Sequence, residues 1–337
     1  MKLVRFLLFP FAILYDLITT IRNILFDVQF LKSTSFKIPI IVVGNLSVGG
    51  TGKTPQIEYL IRLLKDTYKV SVLSRGYKRK TKGFVLVNDH HTLNDVGDEP
   101  LQYFKKFSNI DVAVNENRVV GITNLVALKL PEVVLLDDAY QHRKVKGSFY
   151  ILLTKYDDLF TDDFLLPTGN LRESAAGSGR TDVIVVTKCP LNLKKEEKEL
   201  INSKLQKFNK EVFFTSISYA DKISGSQEIT LKELKEFQVL LITGIANPNP
   251  LLEFLNKKDI KFTHLKYTDH HPFSSKEINT IQQKFKAIRA VNKLILTTEK
   301  DYVRLSNKLE ALSFLEIETV FIEDQHKFDA IIKDHVQ

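Results

Sequence analysis

Ahead of residue 37 the apolar positions fall at helical spacing. Phe11, Leu14, Ile18, Ile21, Leu25 and Val28 recur at intervals of three and four, with Asp16, Thr20, Arg22, Asn23 and Asp27 on the other side. Beyond residue 37 the pattern changes to short aliphatic runs that alternate with longer helical stretches. The runs predict strands over 38–43, 70–73, 111–114, 133–136 and 150–153. A second series follows over 183–187, 212–216, 239–243 and 294–297, while stretches such as 56–65 and 117–130 carry helical periodicity. Alternation of this kind predicts an α/β fold, a mostly parallel sheet with helices on both faces. Between the two series TKYDDLFTDDFLLPTGNLRESAAGSGRTD is rich in turn formers, which places a junction near residue 155. The expected division is a first unit over 1–155, including the N-terminal helix at 1–31, and a second, smaller α/β unit over 156–337.

The N-terminal segment resembles a signal or an anchor only at first sight. Its longest uncharged run is 6–15, shorter than the roughly 18–20 apolar residues of a spanning helix. Pro10, Asp16, Arg22 and Asp27 interrupt it, and no small-residue cleavage site follows. The expectation is a helix that docks on the protein's own core, or one that lies in a membrane interface with Lys2 and Arg5 near anionic headgroups. Composition narrows the class further. Of 337 residues 44% are hydrophobic and 26% charged, as in a globular protein. The single cysteine, Cys189, excludes an internal disulfide and a thiolate metal cluster and fits a reducing compartment. A net charge of +8 favours an anionic partner, and a lysine-rich solvated surface explains it equally.

The stretch VGNLSVGGTGKTP, 43–55, carries the first candidate chemistry. A phosphate loop needs a strand to aim it, glycines that let backbone N–H groups converge, and a helix N-terminus behind. It also needs a lysine for the β/γ-phosphates and a hydroxyl for Mg²⁺. Gly49, Gly50 and Gly52 meet the second demand, and Lys53 and Thr54 the last two, although Ser47 stands where the first glycine is usual. Pro55 suits the first helical turn, where its missing N–H has no partner to lose. In EVVLLDDAYQHR four aliphatics end in Asp137 and Asp138, acids at the end of a buried strand that suit Mg²⁺ or cap the next helix.

Three loops carry more chemistry than turns require: VGDEP with Asp98, DHHPF with His270, and PTGNLRES with Arg172 and Glu173. Transfer of a phosphoryl group to a hydroxyl wants a carboxylate or imidazole for the acceptor proton, and cations for charge on the γ-phosphate. Asp98 with His270 suits the first task and Arg172 with Lys53 the second. Each residue alone also serves as a cap, a loop histidine or a surface ion pair.

In order along the chain, VGNLSVGGTGKTP, SRGY, VGDEP, DDAYQHR, LPTGNLRE, ITGIANP, DHHPF and LTTEKDYVRL resemble the tetraacyldisaccharide 4′-kinase family, from the first helix to at least residue 305. The resemblance implies a P-loop fold and Mg²⁺-dependent transfer of the γ-phosphate of ATP to the 4′-hydroxyl of a tetraacylated glucosamine disaccharide 1-phosphate. It also implies the cytoplasmic face of a bacterial inner membrane as the place of work, with the N-terminal helix peripheral to it and the second unit closing over the nucleotide. Matched by motif, Ser47, Val48, Gly49, Gly50, Thr51, Gly52, Lys53 and Thr54 cradle the nucleotide with Glu173 nearby, and Thr54, Asp137 and Asp138 face the metal. Asp98 matches the catalytic base and His270 its supporting histidine, with Lys53 and Arg172 as catalytic cations. Arg118, Gln141, His142, Arg75 and Tyr77 are the candidates for substrate. The loop RGYKRKTKG adds Lys78, Arg79, Lys80 and Lys82 for a lipid phosphate or headgroups, or for solvent alone. Ala139 departs from the expected glycine, which restricts the backbone and removes no chemistry.

Two other classes fit less well. A P-loop ATPase or GTPase switch lacks its signature lysine, because Val48 stands there, and TKCP places Pro190 where a guanine-reading aspartate belongs. A nucleic-acid-binding module has no helix-turn-helix, zinc or aromatic RNA-binding motif to support it. No nucleic-acid partner and no obligate protein partner are expected.

Overall fold

The structure, a computed structural model, describes Arg5 and residues 7–337. The headgroup contact expected of Lys2 therefore lies outside the described residues. The chain begins with α1 (Phe9–Asp27), β1 (Ile40–Asn45), α2 (Lys53–Leu64), β2 (Val70–Ser74), β3 (Val85–Leu86) and α3 (Leu93–Val96). It continues with α4 (Asp98–Lys106), β4 (Asp111–Val114), α5 (Arg118–Lys129), β5 (Val133–Asp137), β6 (Phe149–Lys155) and β7 (Val183–Thr187). After α6 (Lys195–Leu205) come β8 (Glu211–Gly225), β9 (Ile229–Thr230), β10 (Gln238–Thr243), α7 (Asn249–Lys257) and β11 (Phe262–Lys266). The last elements are α8 (Ser275–Ala287), β12 (Lys293–Thr298), α9 (Glu299–Leu305), β13 (Leu312–Phe321) and α10 (Gln325–Val336).

All the strands join one sheet in the order β11-β10-β12-β13-β8-β7-β6-β1-β5-β2-β4-β3, with β9 pairing β8 at the side. The central pairs are parallel, as the aliphatic runs demand: helices must cover both faces, so both faces of each strand read apolar. Ile40, Ile41, Val42 and Val43 of β1 are all buried. On one face α2 packs Ile57, Leu60 and Leu64 against the sheet, together with Leu101 and Tyr103 of α4. On the other, Ile122 and Leu125 of α5 cover Ile40, Val42 and Leu136.

The long strand β8 links the two strand series. Its first residues pair in parallel with β7, and from Thr215 to Gly225 it runs antiparallel to β13. Strands β6 and β7, on either side of residue 155, are hydrogen-bonded neighbours. The chain end then returns, and Phe328, Ile332 and Val336 of α10 fill the core that α2 covers. Strands β11 and β13 and helix α10 were not among the elements predicted from periodicity. The reason is visible in β13, where Glu316 and Glu318 break the aliphatic run that marked the other strands.

Helix α1 docks by its polar side. Tyr15 donates to the Arg172 carbonyl at 2.8 Å, Asn23 donates to Glu173 at 3.0 Å, and Arg143 reaches back to the Asn23 carbonyl and to Asp27. Ala12 and Thr19 are buried, whereas Phe11, Leu14, Ile18, Ile21 and Val28 are exposed. Nineteen residues long, with an 18-residue window of mean hydropathy 1.3, α1 meets the length and composition of a spanning segment, which its uncharged run alone did not suggest.

Candidate active site

The phosphate loop forms between β1 and α2. Gly49 and Gly52 take φ of 102° and 87°, the left-handed region that other residues avoid, and space above Gly49 is open. The Lys53 amine lies 3.1 Å from Asn45 Oδ1 and 3.6 Å from Asp138. The loop is braced from two sides. Val48 N–H donates to the Asn170 carbonyl at 2.8 Å, and Ser47 bridges to Leu171, so the junction segment lies along the loop. From the end of β7, Thr187 donates to the Thr51 carbonyl at 2.8 Å and Lys188 to the Gly50 carbonyl at 2.6 Å. Sequence reasoning set Lys188 aside with the imperfect TKCP motif, and its place at the loop was missed.

Asp137 ends β5 and is buried, with the Ser74 hydroxyl 3.3 Å from Oδ2. Burial, the Glu99 charge and the Asp138 charge push its carboxyl up to about 7, against the pull of Lys53 and Arg118. For Asp138 burial raises, but Lys53 and Arg172 outweigh it and hold the carboxyl below its ordinary value. Arg172 Nη2 lies 3.0 Å from Asp138 and also reaches the Asn45 carbonyl at 3.3 Å. Among the described residues no three acids or imidazoles form a closed metal cluster. Of the two acids only Asp137 is left short of positive charge, and such a buried carboxylate suits Mg²⁺, which takes few protein oxygens and keeps phosphate and water as ligands.

The other side of the site begins at Asp98, the first residue of α4. Gly97 before it has φ of 91°, and a Cβ there would sit 3.0 Å from the Tyr77 carbonyl, so the SRGY loop packs directly on this helix start. His270 Nδ1 lies 2.8 Å from Asp98 Oδ2, across 172 residues of chain. Tyr77 meets the imidazole edge-on, ring centres 5.5 Å apart. Arg304 brings Nε to 2.9 Å from the same carboxylate oxygen and Nη2 closer still. Burial pushes the Asp98 carboxyl up, but His270 and Arg304 outweigh it and bring it down to about 2. Lys300 Nζ lies 3.0 Å from His270 Nε2 and 3.5 Å from Glu99. Neither Arg304 nor Lys300 was assigned from sequence, although LTTEKDYVRL, which contains both, had been singled out.

The substrate candidates divide. Arg118 is buried, donates through Nη1 to the Asn115 carbonyl at 2.8 Å, and has Nε and Nη2 buried without a partner. Burial lowers its guanidinium to about 10, and burial with the Arg118 and Arg75 charges lowers His142 to about 4. Unpartnered guanidinium donors near the Arg75 charge fit an anionic phosphate. Gln141 bonds the Asn45 carbonyl at 2.9 Å and Glu173 at 3.0 Å. Glu173 is fully buried and bonded by Arg180, Gln141 and Asn23, which sets its carboxylate between the loop and α1. In the basic loop Arg79 is turned inward, onto Glu116 and the Gly83 carbonyl.

Known proteins resemble this chain over nearly its whole length. A family model described as tetraacyldisaccharide-1-P 4′-kinase matches residues 4–337. The tetraacyldisaccharide 4′-kinase of Flavobacterium johnsoniae is 52% identical over 342 residues, covering 100% of this chain and 98% of that protein. That of Bacteroides thetaiotaomicron is 44% identical over 352 residues, covering 98% and 93%. The crystal structure of LpxK from Aquifex aeolicus in complex with ATP matches with a TM-score of 0.80 at 31% identity, covering 99% of this chain and 100% of that one.

Proposed function

This chain belongs to the tetraacyldisaccharide-1-P 4′-kinase family, and we propose from that membership how its residues divide the reaction. The activity is ATP-dependent phosphorylation in lipid A biosynthesis, with a tetraacylated glucosamine disaccharide 1-phosphate as acceptor at its 4′-hydroxyl. In our assignment the backbone of residues 47–52 and the Lys53 amine receive the triphosphate. Mg²⁺, which Thr54, Asp137 and Asp138 would hold, supplies neutralising charge at the phosphate oxygens.

Asp98 accepts the proton of the 4′-hydroxyl as the new O–P bond forms and the bond to ADP breaks. A carboxylate with a low proton affinity serves this role because the phosphoryl transition state is loose and the proton leaves late. His270 fixes the carboxylate, while Arg172 with Lys53 meets charge that develops on the γ-phosphate. Arg118, His142, Arg75 and Tyr77 contact the disaccharide or its 1-phosphate, with Gln141 holding Asn45 and Glu173 in place. Residues 156–337 act as a second unit that closes over the nucleotide and brings His270 and Arg172 to it. The observation that supports this assignment most directly is the 2.8 Å contact between His270 and Asp98, on elements whose neighbour Glu99 already acts on Asp137.

Helix α1 supports a peripheral site at the cytoplasmic face of the inner membrane. Its docked side is polar and its outward side is apolar, the arrangement an interfacial helix uses. One experiment tests both parts: labelled ATP with the tetraacylated disaccharide carried in anionic vesicles, for the full chain and for residues 32–337. The expected product is a bisphosphorylated lipid, with the shortened chain recovered less with vesicles. Label that stays in free phosphate would favour a nucleotide switch, and equal recovery of both chains would remove the helix from the membrane.

A further inference from the structure

Of the motifs read from the sequence, LTTEKDYVRL and ITGIANP have no part in the assignment above, yet both meet at the base. Thr298 caps α9 by accepting the Asp301 N–H, and Asp301 in turn accepts the Gly244 N–H at 2.7 Å. Arg304 Nη1 reaches Asp301 at 2.9 Å and the Gly244 carbonyl at 3.2 Å, and that carbonyl also takes the His270 N–H at 3.2 Å. A Cβ on Gly244 would stand 2.9 Å from Asp301 Oδ1, so only glycine lets these parts approach. The guanidinium is thus anchored at one end on β10 and its own helix, and its other end holds Asp98.

The hydrogen-bond inventory then assigns the state of His270. Lys300 and Arg304 are donors only, and a neutral imidazole has one donor and one acceptor. With Nε2 accepting from Lys300 at 3.0 Å, the ring proton sits on Nδ1 and is donated to Asp98 Oδ2 at 2.8 Å, the tautomer that also satisfies the carboxylate. Arg304 Nη2 also stands 2.9 Å from Nδ1, a contact between two donors that both converge on Oδ2. His270 adopts φ of 56°, a left-handed backbone that the loop sustains for a non-glycine residue. The His270 Nδ1–H and the Arg304 Nε and Nη2 donors all go to Oδ2, which leaves Oδ1 as the oxygen for an acceptor hydroxyl.

We propose that Lys300 and Arg304, four residues apart on α9, are positioning residues of phosphoryl transfer that fix the Asp98–His270 pair in one geometry and one tautomer. Arg304 keeps Asp98 ionised and turned, and Lys300 keeps the imidazole Nδ1–H pointed at it. The charged and titratable groups around Asp98 are Glu99 on α4, Tyr77, Asp269 and His270 on the loops, and Lys300, Asp301 and Arg304 on α9. Among them Arg304 is the permanent cation that reaches the carboxylate, through both Nε and Nη2, so its removal leaves Asp98 easier to protonate. The proposal rests on Asp98 as the proton acceptor, and the test separates the two.

The experiment measures kcat, KM and the pH dependence of kcat/KM for the full chain with ATP and the tetraacylated disaccharide, in wild type, Asp98→Asn, Arg304→Met, Arg304→Lys and Asp98→Asn/Arg304→Met. Arg304→Met is expected to lower kcat by about 10–100-fold, a fraction of what a general base supplies, with the KM for ATP unchanged. The acidic limb of its profile should move to higher pH. Arg304→Lys should return that limb toward wild type, since the charge is kept, while kcat recovers only in part because an ammonium cannot span Asp98 and Asp301 together. In the Asp98→Asn background Arg304→Met should cost little more. An unmoved acidic limb, or full additivity in the double variant, would overturn the positioning role while leaving Asp98 as base. Near-normal turnover of Asp98→Asn would instead overturn the base itself.

Because Arg304 is well buried, the less buried Lys300 provides a second variant should Arg304→Met fail to fold. Nitrogen NMR of the labelled His270 ring should show the proton on Nδ1 in wild type and a mixture of tautomers in Lys300→Met. A wild-type ring protonated on Nε2 alone would refute the arrangement.

Discussion

The loop that receives phosphate comes from residues 45–54, whereas Asp98, His270 and Arg304 meet across 172 and 206 residues of chain. The first side is held by local means: a buried strand, two left-handed glycines and a helix start. The second has no local reason to exist. Its three side chains are brought together by the docking of α4, the loop before α8, and α9. A cluster of charges below the site ties these supports to each other. Lys106 of α4, the helix that begins with Asp98, lies 2.8 Å from Glu58 on α2, 2.7 Å from Glu299 on α9 and 3.5 Å from Glu316 on β13. The helix behind the phosphate loop, the helix behind the base and the helix that grips it therefore share one ammonium. A nucleotide loop can fold from its own sequence; a base that faces it must be carried there by the rest of the protein.

Substitutions that act on one side and spare the other test this contrast. The largest effect is expected at the base. Asp98→Ala should lower kcat by about 10²–10⁴-fold with little change in nucleotide affinity, while Lys53→Met should weaken nucleotide binding as well. Steady-state kinetics and nucleotide titration of both variants read the difference, and equal losses of nucleotide binding would erase the distinction between the sides. Next comes the shared ammonium. Lys106→Met removes the cation that the buried Glu58 and Glu299 share, leaves Glu58 only the 3.8 Å contact with Arg62, and should cost about 3–5 kcal/mol of stability, seen in urea unfolding. A loss below about 1 kcal/mol, the scale of an exposed pair, would show that the supports are tied by apolar packing alone.

The smallest effect is a pH dependence. Burial first, and then the Glu58 charge, raise the Glu299 carboxyl against the pull of Lys106. A carboxyl raised on folding stabilises fully below its unfolded value and loses that contribution as pH climbs through the folded one. Glu299→Gln lacks that loss. Its stability relative to wild type should improve by about 1–3 kcal/mol as pH rises from about 4.5 toward neutrality, one pKa unit being worth about 1.4 kcal/mol. Melting curves across that range check it, and parallel curves would place the proton elsewhere.

How much of this was legible in the chain follows the same line. Runs of four or more aliphatics marked the strands at the centre of the sheet, because residues buried on both faces have no polar alternation to hide them. Strand β13 escaped since Glu316 and Glu318 face the buried ammonium and the surface, an arrangement that periodicity cannot separate from a loop. Motif order pointed to Asp98 and His270 through family resemblance, and their 2.8 Å contact is a tertiary fact. Lys188 was missed because its motif was judged by the guanine-binding pattern it fails, whereas its amine serves the Gly50 carbonyl. Arg304 sat inside a quoted motif, but an arginine on a short helix has no signal of its own until Asp98 is placed against it.

The sequence alone determined the α/β class, the phosphate loop with its acids and the family, since each depends on neighbours a few residues away or on the order of motifs. Only the folded chain decided which face of α1 is left uncovered, where Glu173 is held, and how three donors from His270 and Arg304 meet at one carboxylate oxygen of Asp98. Local spacing records what the backbone can do with its nearest residues. Long-range electrostatics and packing arise when distant elements share one core, and no stretch of sequence contains that information by itself.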